Sequence, residues 1–339
     1  MPSPPLDPQQ RAAGADPRGE YAAARASAAV FDVSDRVQVE LTGGDRVKFL
    51  HNFCTNDVKS LAPGRGCEAF LTNGKGRILG HVLLFATEHT LWIDEIGTPE
   101  EVLLGHLDRY IITEDVQLHG RSGERGELFV SGEQSAERLG ALHVDASKLA
   151  LYEHAALAAR ESFVAIRRAD LLGAPGFLVS IPRDRLVEIW QALTDAGCRP
   201  AGGAAYEALR IEAGTPLYGV DLTDDNIAQE AARTPLAISF TKGCYLGQEP
   251  IARLDALGHT NRELRGLKLA DGPVPGRGAA VMAASEDVGR ITSAAAGPLD
   301  DRPVALALLK ARHARPGTEL HVETAAGPVA ASVFWPFDP

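Results

Sequence analysis

Two predicted β-hairpins constrain the fold of this chain more than any other feature of its sequence. In the first, strands at residues 67–71 and 78–85 flank a turn at 73–76, whose Asn-Gly pair can supply the positive φ angles of a tight hairpin. In the second, residues 162–181 hold two strands around a Gly-Ala-Pro-Gly turn. Hairpins join antiparallel strands, so the fold class is predicted to be α+β rather than doubly wound α/β.

Helical segments alternate with these hairpins over the first 240 residues. Asp45 and Thr98 are predicted to cap two of the helices, and Glu101 is placed to complete a capping box with Thr98. Gly197 and Gly214 are predicted to end two others. The segments with helical character are 20–30, 45–54, 98–110, 184–196 and 204–213.

From residue 265 onward the sequence is rich in short strands and in Gly and Pro turns, a pattern typical of a small β-barrel or sandwich. The strands predicted there are 265–269, 288–293, 304–309, 320–323 and 329–334. We therefore divide the chain into a disordered lead-in at 1–19, an α+β body of two subdomains at 20–240, a motif and connector at 241–265, and a C-terminal β-barrel at 266–339.

Charge and hydropathy narrow the class of partner. The 339-residue chain has a formal net charge of −11, which repels phosphate backbones, so direct nucleic-acid binding is not expected. No stretch is apolar over the length of a membrane span or a signal h-region, and the first 17 residues contain five prolines. These features predict a cytoplasmic protein without a membrane partner.

The cysteines do not form a metal-binding pattern. The chain has four of them, none in a Cys-x-x-Cys pair and none near a histidine at zinc-finger spacing. The acidic residues at 221–230 lack the spacing of a calcium loop. A permanent metal ion or iron–sulfur cluster held by this chain is therefore not expected.

The segment 242–249 has an unusual density of reactive groups. Lys242 is expected to raise the thiolate fraction of Cys244, because a cation next to a thiol stabilises its ionised form. The alternative is a structural loop in which Cys244 is buried and Lys242 is solvated. Among the other members, Gly243 and Gly247 supply backbone freedom and Tyr245 supplies a phenol. Gln248 supplies a hydrogen-bond donor and Glu249 a general base.

A second candidate site is the turn of the first hairpin. Its backbone N–H groups and the side chains of Lys75 and Arg77 could form a cradle for an anion. An ordinary hairpin turn with solvated charges is the alternative that the pattern favours.

Three segments resemble a known family. Residues 39–57 resemble the start of the aminomethyltransferase fold of the glycine cleavage T-protein, and residues 209–219 resemble a later motif of the same family. The sequence at 242–249, Lys-Gly-Cys-Tyr-Leu-Gly-Gln-Glu, is similar to the signature of the YgfZ branch. That branch includes bacterial YgfZ and the mitochondrial assembly factor for four-iron clusters.

This resemblance implies a cloverleaf of two interleaved α+β domains and a small C-terminal β-barrel around a channel that binds tetrahydrofolate. It implies a role in assembling or repairing iron–sulfur clusters, including those of tRNA-modifying enzymes. The expected partners are then folate and iron–sulfur proteins or their assembly machinery. Cys244 would carry the activity, with Lys242 and the other motif residues around it. Arg210 and Glu212 would contact folate, or alternatively form a structural pair on a helix.

The chain departs from the T-protein at two places. Leu79 and Gly80 align with an Asp pair that supplies the catalytic carboxylate of the T-protein, and Leu178 aligns with an acid that contacts the pterin. The first loss argues against aminomethyl transfer, because activating the folate amine needs a placed carboxylate. A folate-dependent aminomethyltransferase or demethylase and a non-catalytic interaction scaffold remain as alternative functions.

Overall fold

The computed structural model describes residues 14–95, 97–159, 162–258, 260–297 and 299–335, so most of the predicted lead-in lies outside the described residues. Residues 17–19 already belong to the first helix. The α-helices are α1 (Pro17–Ala26), α2 (Arg46–His51), α3 (Glu100–Asp108), α4 (Ser135–Arg138), α5 (Leu186–Asp195), α6 (Gly203–Glu212), α7 (Thr234–Ala237) and α8 (Gln248–Leu257).

Strands make up most of the remaining regular structure. In the body they are β1 (Ala29–Asp32), β2 (Val37–Thr42), β3 (Gly66–Thr72), β4 (Ile78–Ala86), β5 (Leu91–Glu95), β6 (Gln117–Gly120), β7 (Arg125–Ser131), β8 (His154–Ala159), β9 (Ser162–Arg168), β10 (Gly176–Pro182) and β11 (Arg199–Pro200). Toward the C-terminus they are β12 (Arg262–Leu269), β13 (Ala280–Ala283), β14 (Glu286–Ala296), β15 (Pro303–Lys310), β16 (Glu319–Thr324) and β17 (Gly327–Phe334).

The strands form two sheets and a barrel. Sheet I has the strand order β11-β1-β7-β10-β9-β8, and sheet II has the order β3-β4-β5-β2-β6. The closed barrel has the order β12-β15-β14-β13-β16-β17. Because β1 belongs to sheet I, β2–β6 to sheet II and β7–β11 to sheet I again, the two α+β units are interleaved along the chain. The predicted α+β class and the C-terminal barrel are confirmed, and the alternative of a C-terminal sandwich is wrong.

Apolar side chains hold the two sheets together. Phe31, Phe129 and Leu178 of sheet I share one buried cluster with Leu83 and Trp92 of sheet II. Burying apolar surface stabilises such contacts by about 25 cal/mol per Å². This interface is the centre of the α+β body.

A charged seam crosses the same interface. Asp94 of β5 binds Arg36 Nε at 2.6 Å and Arg167 Nη1 at 3.0 Å, and Glu127 of β7 lies 3.5 Å from Arg167. All four side chains are at most 5% exposed. Burial raises the pKa of Glu127 well above its usual value. Each charge needs its partners, because an unpaired buried ion destabilises a fold strongly.

Both hairpins form as predicted, but the first turn differs in detail. The residue with positive φ is Gly76, at +69°, and not the Asn-Gly pair. Asn73 instead uses its side chain, because its Oδ1 accepts hydrogen bonds from the backbone N–H groups of Lys75 at 2.9 Å and Arg77 at 3.2 Å. Asparagine commonly stabilises a turn through such bonds to the residues that follow it.

The two predicted helix caps differ from the structure in different ways. Asp45 is the N-cap residue of α2, as predicted, but its carboxylate accepts a hydrogen bond from the backbone N–H of Asp115 at 3.0 Å and none from the helix. The Thr98 hydroxyl donates to Glu95 Oε1 at 2.9 Å, and α3 begins two residues later. In both cases a neighbouring polar group satisfies the side chain that the sequence assigned to a helix end.

Other boundaries of helices and strands also differ from those predicted from the sequence. The first helix ends at Ala26 rather than continuing to residue 30, because residues 29–32 pair with β7 as β1. Two elements were not predicted from the sequence: α8, which begins inside the 242–249 segment, and the short strand β13. Within the described part of the chain, no helix is long and apolar enough to cross a membrane.

Candidate functional site

The segment 242–249, called the motif loop below, lies between the residues that follow α2 and the turn of the β3–β4 hairpin. The backbone N–H of Leu246 donates to the carbonyl of Asn52 at 2.8 Å. The Thr72 hydroxyl donates to the carbonyl of Leu246 at 2.6 Å. The motif loop is therefore fixed on two sides by segments that precede it by more than 170 residues.

Gly247 lets the motif loop approach the hairpin turn. Its φ is +84°, and a Cβ placed there would lie 2.4 Å from the carbonyl oxygen of Asn73. On the other side of the contact, a Cβ on Gly76 would lie 3.0 Å from Pro250 Cγ. Glycine is needed here both for the backbone angle and for the close approach.

Lys242 anchors the motif loop to the residues after α2. Its ammonium donates to the backbone carbonyls of His51, Cys54 and Asn56 at 2.6, 2.7 and 2.9 Å. The Nζ atom also lies 4.7 Å from the ring centroid of Tyr245. Burial lowers the pKa of Lys242. Since an ammonium has three N–H donors, all of them are used by carbonyls, and support of Cys244 ionisation by Lys242 stays a prediction.

The phenol of Tyr245 and the thiol of Cys244, which are neighbours in the motif loop, differ in exposure. Tyr245 is buried in a cluster that joins sheet II, α6 and the barrel. Cys244 is exposed, as are Gly243 and Glu249, and Gln248 is half-buried in the first turn of α8. The alternative in which Cys244 is buried is therefore wrong.

The other three cysteines are poor nucleophiles by comparison. Burial raises the pKa of Cys54 and Cys67, and it raises the pKa of Cys198 to about 12. A thiol attacks as its thiolate, so buried cysteines with raised pKa values are inert at neutral pH. Accessible thiol chemistry therefore belongs to Cys244.

A histidine and an aspartate that no sequence pattern predicted lie next to each other beside the motif loop. His51, the last residue of α2, is 3% exposed, and its Nδ1 lies 3.3 Å from Asp57 Oδ1. Its Nε2 lies on the motif side, 3.9 Å from the position that a Cβ on Gly243 would occupy. No sequence pattern signals the approach of His51 to Gly243, because the two residues are distant in the chain.

The hairpin turn that carries the cations of Lys75 and Arg77 lies beside the motif loop. Lys75 is exposed, and the Arg77 guanidinium donates to the carbonyl of Asp225. The turn N–H groups that would cradle an anion are already bonded to Asn73. This arrangement favours the ordinary hairpin turn over the anion cradle.

Arg210 and Glu212 on α6 are occupied by other parts of the chain. Arg210 is fully buried and donates to Asp221 Oδ2 at 2.7 Å and to Ser293 Oγ of the barrel at 2.7 Å. Glu212 accepts from Arg25 of α1 at 2.8 Å and from Tyr21. These bonds favour the structural alternative for the helix pair.

A cleft of about 500 Å³ opens where sheets I and II meet. Arg121 lies in its wall and binds Glu40 through Nε at 3.0 Å and Nη2 at 2.8 Å. The Arg125 guanidinium lies 5.5 Å from the ring of Trp92. The lining residues come from β2, β5, β7, β10 and their connections, so no local pattern could reveal them; they are Glu40, Thr87, His89, Thr90, Trp92, Arg121, Glu124, Arg125 and Pro182.

Comparison with known proteins identifies relatives over nearly the whole chain. The family model described as the GCVT N-terminal domain matches residues 8–242, and the glycine cleavage T-protein C-terminal barrel domain matches residues 262–336. A protein of Deinococcus deserti named aminomethyltransferase is 31% identical, with 90% of this chain and 84% of that protein covered. One of Thermoanaerobacter pseudethanolicus with the same name is 27% identical, with 93% and 87% covered.

A solved structure has the same fold. The glycine cleavage system aminomethyltransferase T of Bartonella henselae superposes with a TM-score of 0.84 at 24% identity. The match covers 94% of this chain and 88% of that one.

Proposed function

Because this chain belongs to the glycine cleavage T-protein family, we propose that it binds tetrahydrofolate and acts, as a YgfZ-type member, in assembling or repairing iron–sulfur clusters. Clusters of tRNA-modifying enzymes are among the proposed targets. The observation that carries the proposal is the exposed thiol of Cys244 on a motif loop that is anchored on both sides. A reactive group held by a fixed backbone is preorganised for chemistry.

The surroundings of the first hairpin argue against aminomethyl transfer. No acidic residue occurs between Gly74 and Phe85. The carboxylate of Glu68 on β3 lies 2.7 Å from Nε2 of His81 on β4 and is paired with Arg233. Arg233 and His81 hold the pKa of Glu68 far below its usual value despite burial. A carboxylate with such a pKa is a weak general base.

A second candidate function is that of the curated relatives, which are named aminomethyltransferase. It predicts formation of methylene-tetrahydrofolate from an aminomethyl donor. The missing carboxylate on β4 weighs against it, and turnover by the purified protein would support it over the first proposal.

The cleft between the sheets suits a folate in size and chemistry. Ligand pockets typically enclose roughly 300–1,000 Å³ with a few placed polar groups. Arg121 and Arg125 would face the glutamate carboxylates, and Trp92 would form an apolar wall for the flat ring. When bound, tetrahydrofolate supplies a carrier for one-carbon units. Arg210 and Glu212 fit this role less well, since neither lines the cleft and Arg210 is fully buried.

Folate binding is tested by calorimetric titration of the purified chain with tetrahydrofolate. We expect measurable binding, weakened about tenfold by Arg121→Gln, because a charge-assisted contact contributes about 1.5–3 kcal/mol. Arg312→Gln, an exposed cation of the barrel side, is the control and should bind like the wild type. No heat with the wild type would favour the interaction scaffold, and equal affinity of Arg121→Gln would place the folate elsewhere.

The role of Cys244 is tested by complementation of a bacterial strain that lacks its own YgfZ. The wild-type chain should restore the activity of an iron–sulfur enzyme, and Cys244→Ala and Cys244→Ser should restore at most about a tenth of it, since neither can supply a thiolate. Thr241→Ala, an exposed neighbour in sequence, is the matched control. Full rescue by Cys244→Ala would contradict the proposal.

A further inference from the structure

We propose that the Glu124 carboxylate occupies the place on Arg121 that a carboxylate of the bound ligand takes, so that ligand binding displaces it. Both residues line the cleft between the two sheets. The inference rests on the proposed function, because it assigns this place to a carboxylate of folate. Glu124 then acts as an internal competitor that sets how tightly the cleft binds an acidic ligand.

Two carboxylates that differ in exposure hold the Arg121 guanidinium. Its Nε and Nη2 donate to Glu40 Oε2 at 3.0 and 2.8 Å, and the Glu40 side chain is 16% exposed. Its Nη1 donates to Glu124 Oε2 at 2.9 Å, and the Glu124 side chain is 66% exposed. Glu40 therefore fixes the orientation of the guanidinium, whereas Glu124 covers Nη1 from the solvent side.

The contact made by Glu124 is the one that a ligand can replace. An ion pair between exposed side chains contributes little, because water solvates both charges when the pair is open. A charge-assisted hydrogen bond that a bound ligand shields from water is stronger. A ligand carboxylate bonded to Arg121 Nη1 therefore gains more than the chain loses when Glu124 turns into solvent.

The backbone that carries Glu124 is fixed, so only its side chain has to move. The N–H groups of Glu124 and Arg125 both donate to the carbonyl of Arg121 at 3.0 Å, which closes a tight turn. Arg183, which follows β10, donates through Nη2 to the carbonyls of Ser122 at 2.8 Å and Arg125 at 3.0 Å. Displacement of Glu124 thus needs a rotation of its side chain and leaves the wall of the cleft in place.

The charges of the cleft wall make this competition electrostatic. Apart from His89, the ionisable residues that line the cleft are two carboxylates, Glu40 and Glu124, and two guanidiniums, Arg121 and Arg125. The wall is therefore close to neutral while Glu124 is in place, and its carboxylate repels another carboxylate. Once Glu124 turns away, one positive charge is left for the ligand to neutralise.

The place on Arg121 suits a carboxylate and not a neutral ring. Arginine N–H groups and carboxylate oxygens form strong hydrogen bonds, and Glu124 already shows such a bond at Nη1. Folate carries its carboxylates on the glutamate end and none on the pterin ring. The inference therefore places the glutamate end of folate at Arg121, in the position that Glu124 gives up.

The experiment compares the affinity of the full chain for tetrahydrofolate, measured by calorimetry, between the wild type and Glu124→Gln. The substitution keeps the size of the side chain and removes its charge. We expect Glu124→Gln to bind about three- to fivefold more tightly, as the loss of an exposed competing ion pair predicts. Glu88→Gln is the matched control and should bind like the wild type, because Glu88 is an exposed carboxylate next to His89 that does not line the cleft.

A double-mutant cycle tests whether the competition is for Arg121. In the Arg121→Gln background, the further change Glu124→Gln should leave the affinity for tetrahydrofolate unchanged, because the group that ligand and Glu124 share is gone. A gain that persists in full in that background would overturn the proposal.

Equal affinities of the wild type and Glu124→Gln would also overturn it, as would an equal gain in Glu88→Gln. Each of these outcomes leaves the proposed binding of folate standing. Failure of the proposed function would appear instead as the absence of heat with the wild type and with Glu124→Gln alike, and the inference would then fall with it.

Discussion

Replacing Lys242 by methionine is expected to lower the free energy of unfolding by about 3 kcal/mol. The substitution keeps an unbranched apolar stem but removes the donor for three carbonyls at 2.6–2.9 Å. A buried acceptor left without its partner costs about 1–3 kcal/mol, and water can replace part of the loss. Urea unfolding at pH 7 measures the difference, when the wild type and the variant are fitted with the same dependence of the unfolding free energy on urea concentration.

Lys75→Met is the matched control, because Lys75 is exposed on the adjacent hairpin turn. Its effect should stay within about 0.5 kcal/mol, as for most surface substitutions. Lys242→Met should also impair complementation, since the loop that presents Cys244 loses its anchor. A loss of stability below about 1 kcal/mol would show that Lys242 is not the structural anchor described here.

Replacing Glu68 by glutamine is expected to have a similarly large effect, about 3–5 kcal/mol, because it removes one partner of a buried ion pair. Glu68 is 1% exposed and accepts hydrogen bonds from Arg233 Nη2 at 2.6 Å and from the Tyr152 hydroxyl at 2.7 Å. The Oε1 atom of Glu68 also lies 2.7 Å from His81 Nε2. The carboxylate thus joins β3, β4, the segment before β8 and the segment before α7.

The same carboxylate predicts a pH dependence with a defined sign. Its folded-state pKa is far below the ordinary value of 4.5, mainly because of Arg233. Its contribution to stability is therefore complete above the unfolded pKa and is lost as the pH falls below about 4.5. In Glu68→Gln this part of the acid destabilisation should be absent, whereas Glu323→Gln, an exposed control on β16, should unfold like the wild type across the pH range.

Unfolding curves at pH 7 and between pH 3 and 5 measure both effects. A Glu68→Gln chain as stable as the wild type at pH 7 would contradict the role of this ion pair. Other paired carboxylates also contribute to the loss of stability at low pH. If Glu68→Gln loses as much stability between pH 5 and pH 3 as the wild type does, the pH prediction alone is contradicted.

Local sequence patterns predicted those parts of the fold that local forces decide. The β3–β4 and β9–β10 hairpins form because strand-forming runs flank turn residues, and the barrel strands follow the same rule. Thr98 is not a helix cap, and Asp45 holds its N-cap position without a side-chain bond to the helix, because the Glu95 carboxylate and the Asp115 N–H satisfy those side chains instead. α8 was missed because it begins within a motif that looks like a loop.

For the candidate site, the sequence by itself determined which reactive groups stand together at 242–249 and that no acid lies on β4. Only the tertiary structure decided that Lys242 is turned inward to three carbonyls, that Cys244 faces solvent, and that the His51 ring approaches Gly243. The reason is physical. Residues that are adjacent in sequence are held close together by covalent bonds. The direction of each side chain depends instead on which distant groups can satisfy its charge and hydrogen bonds.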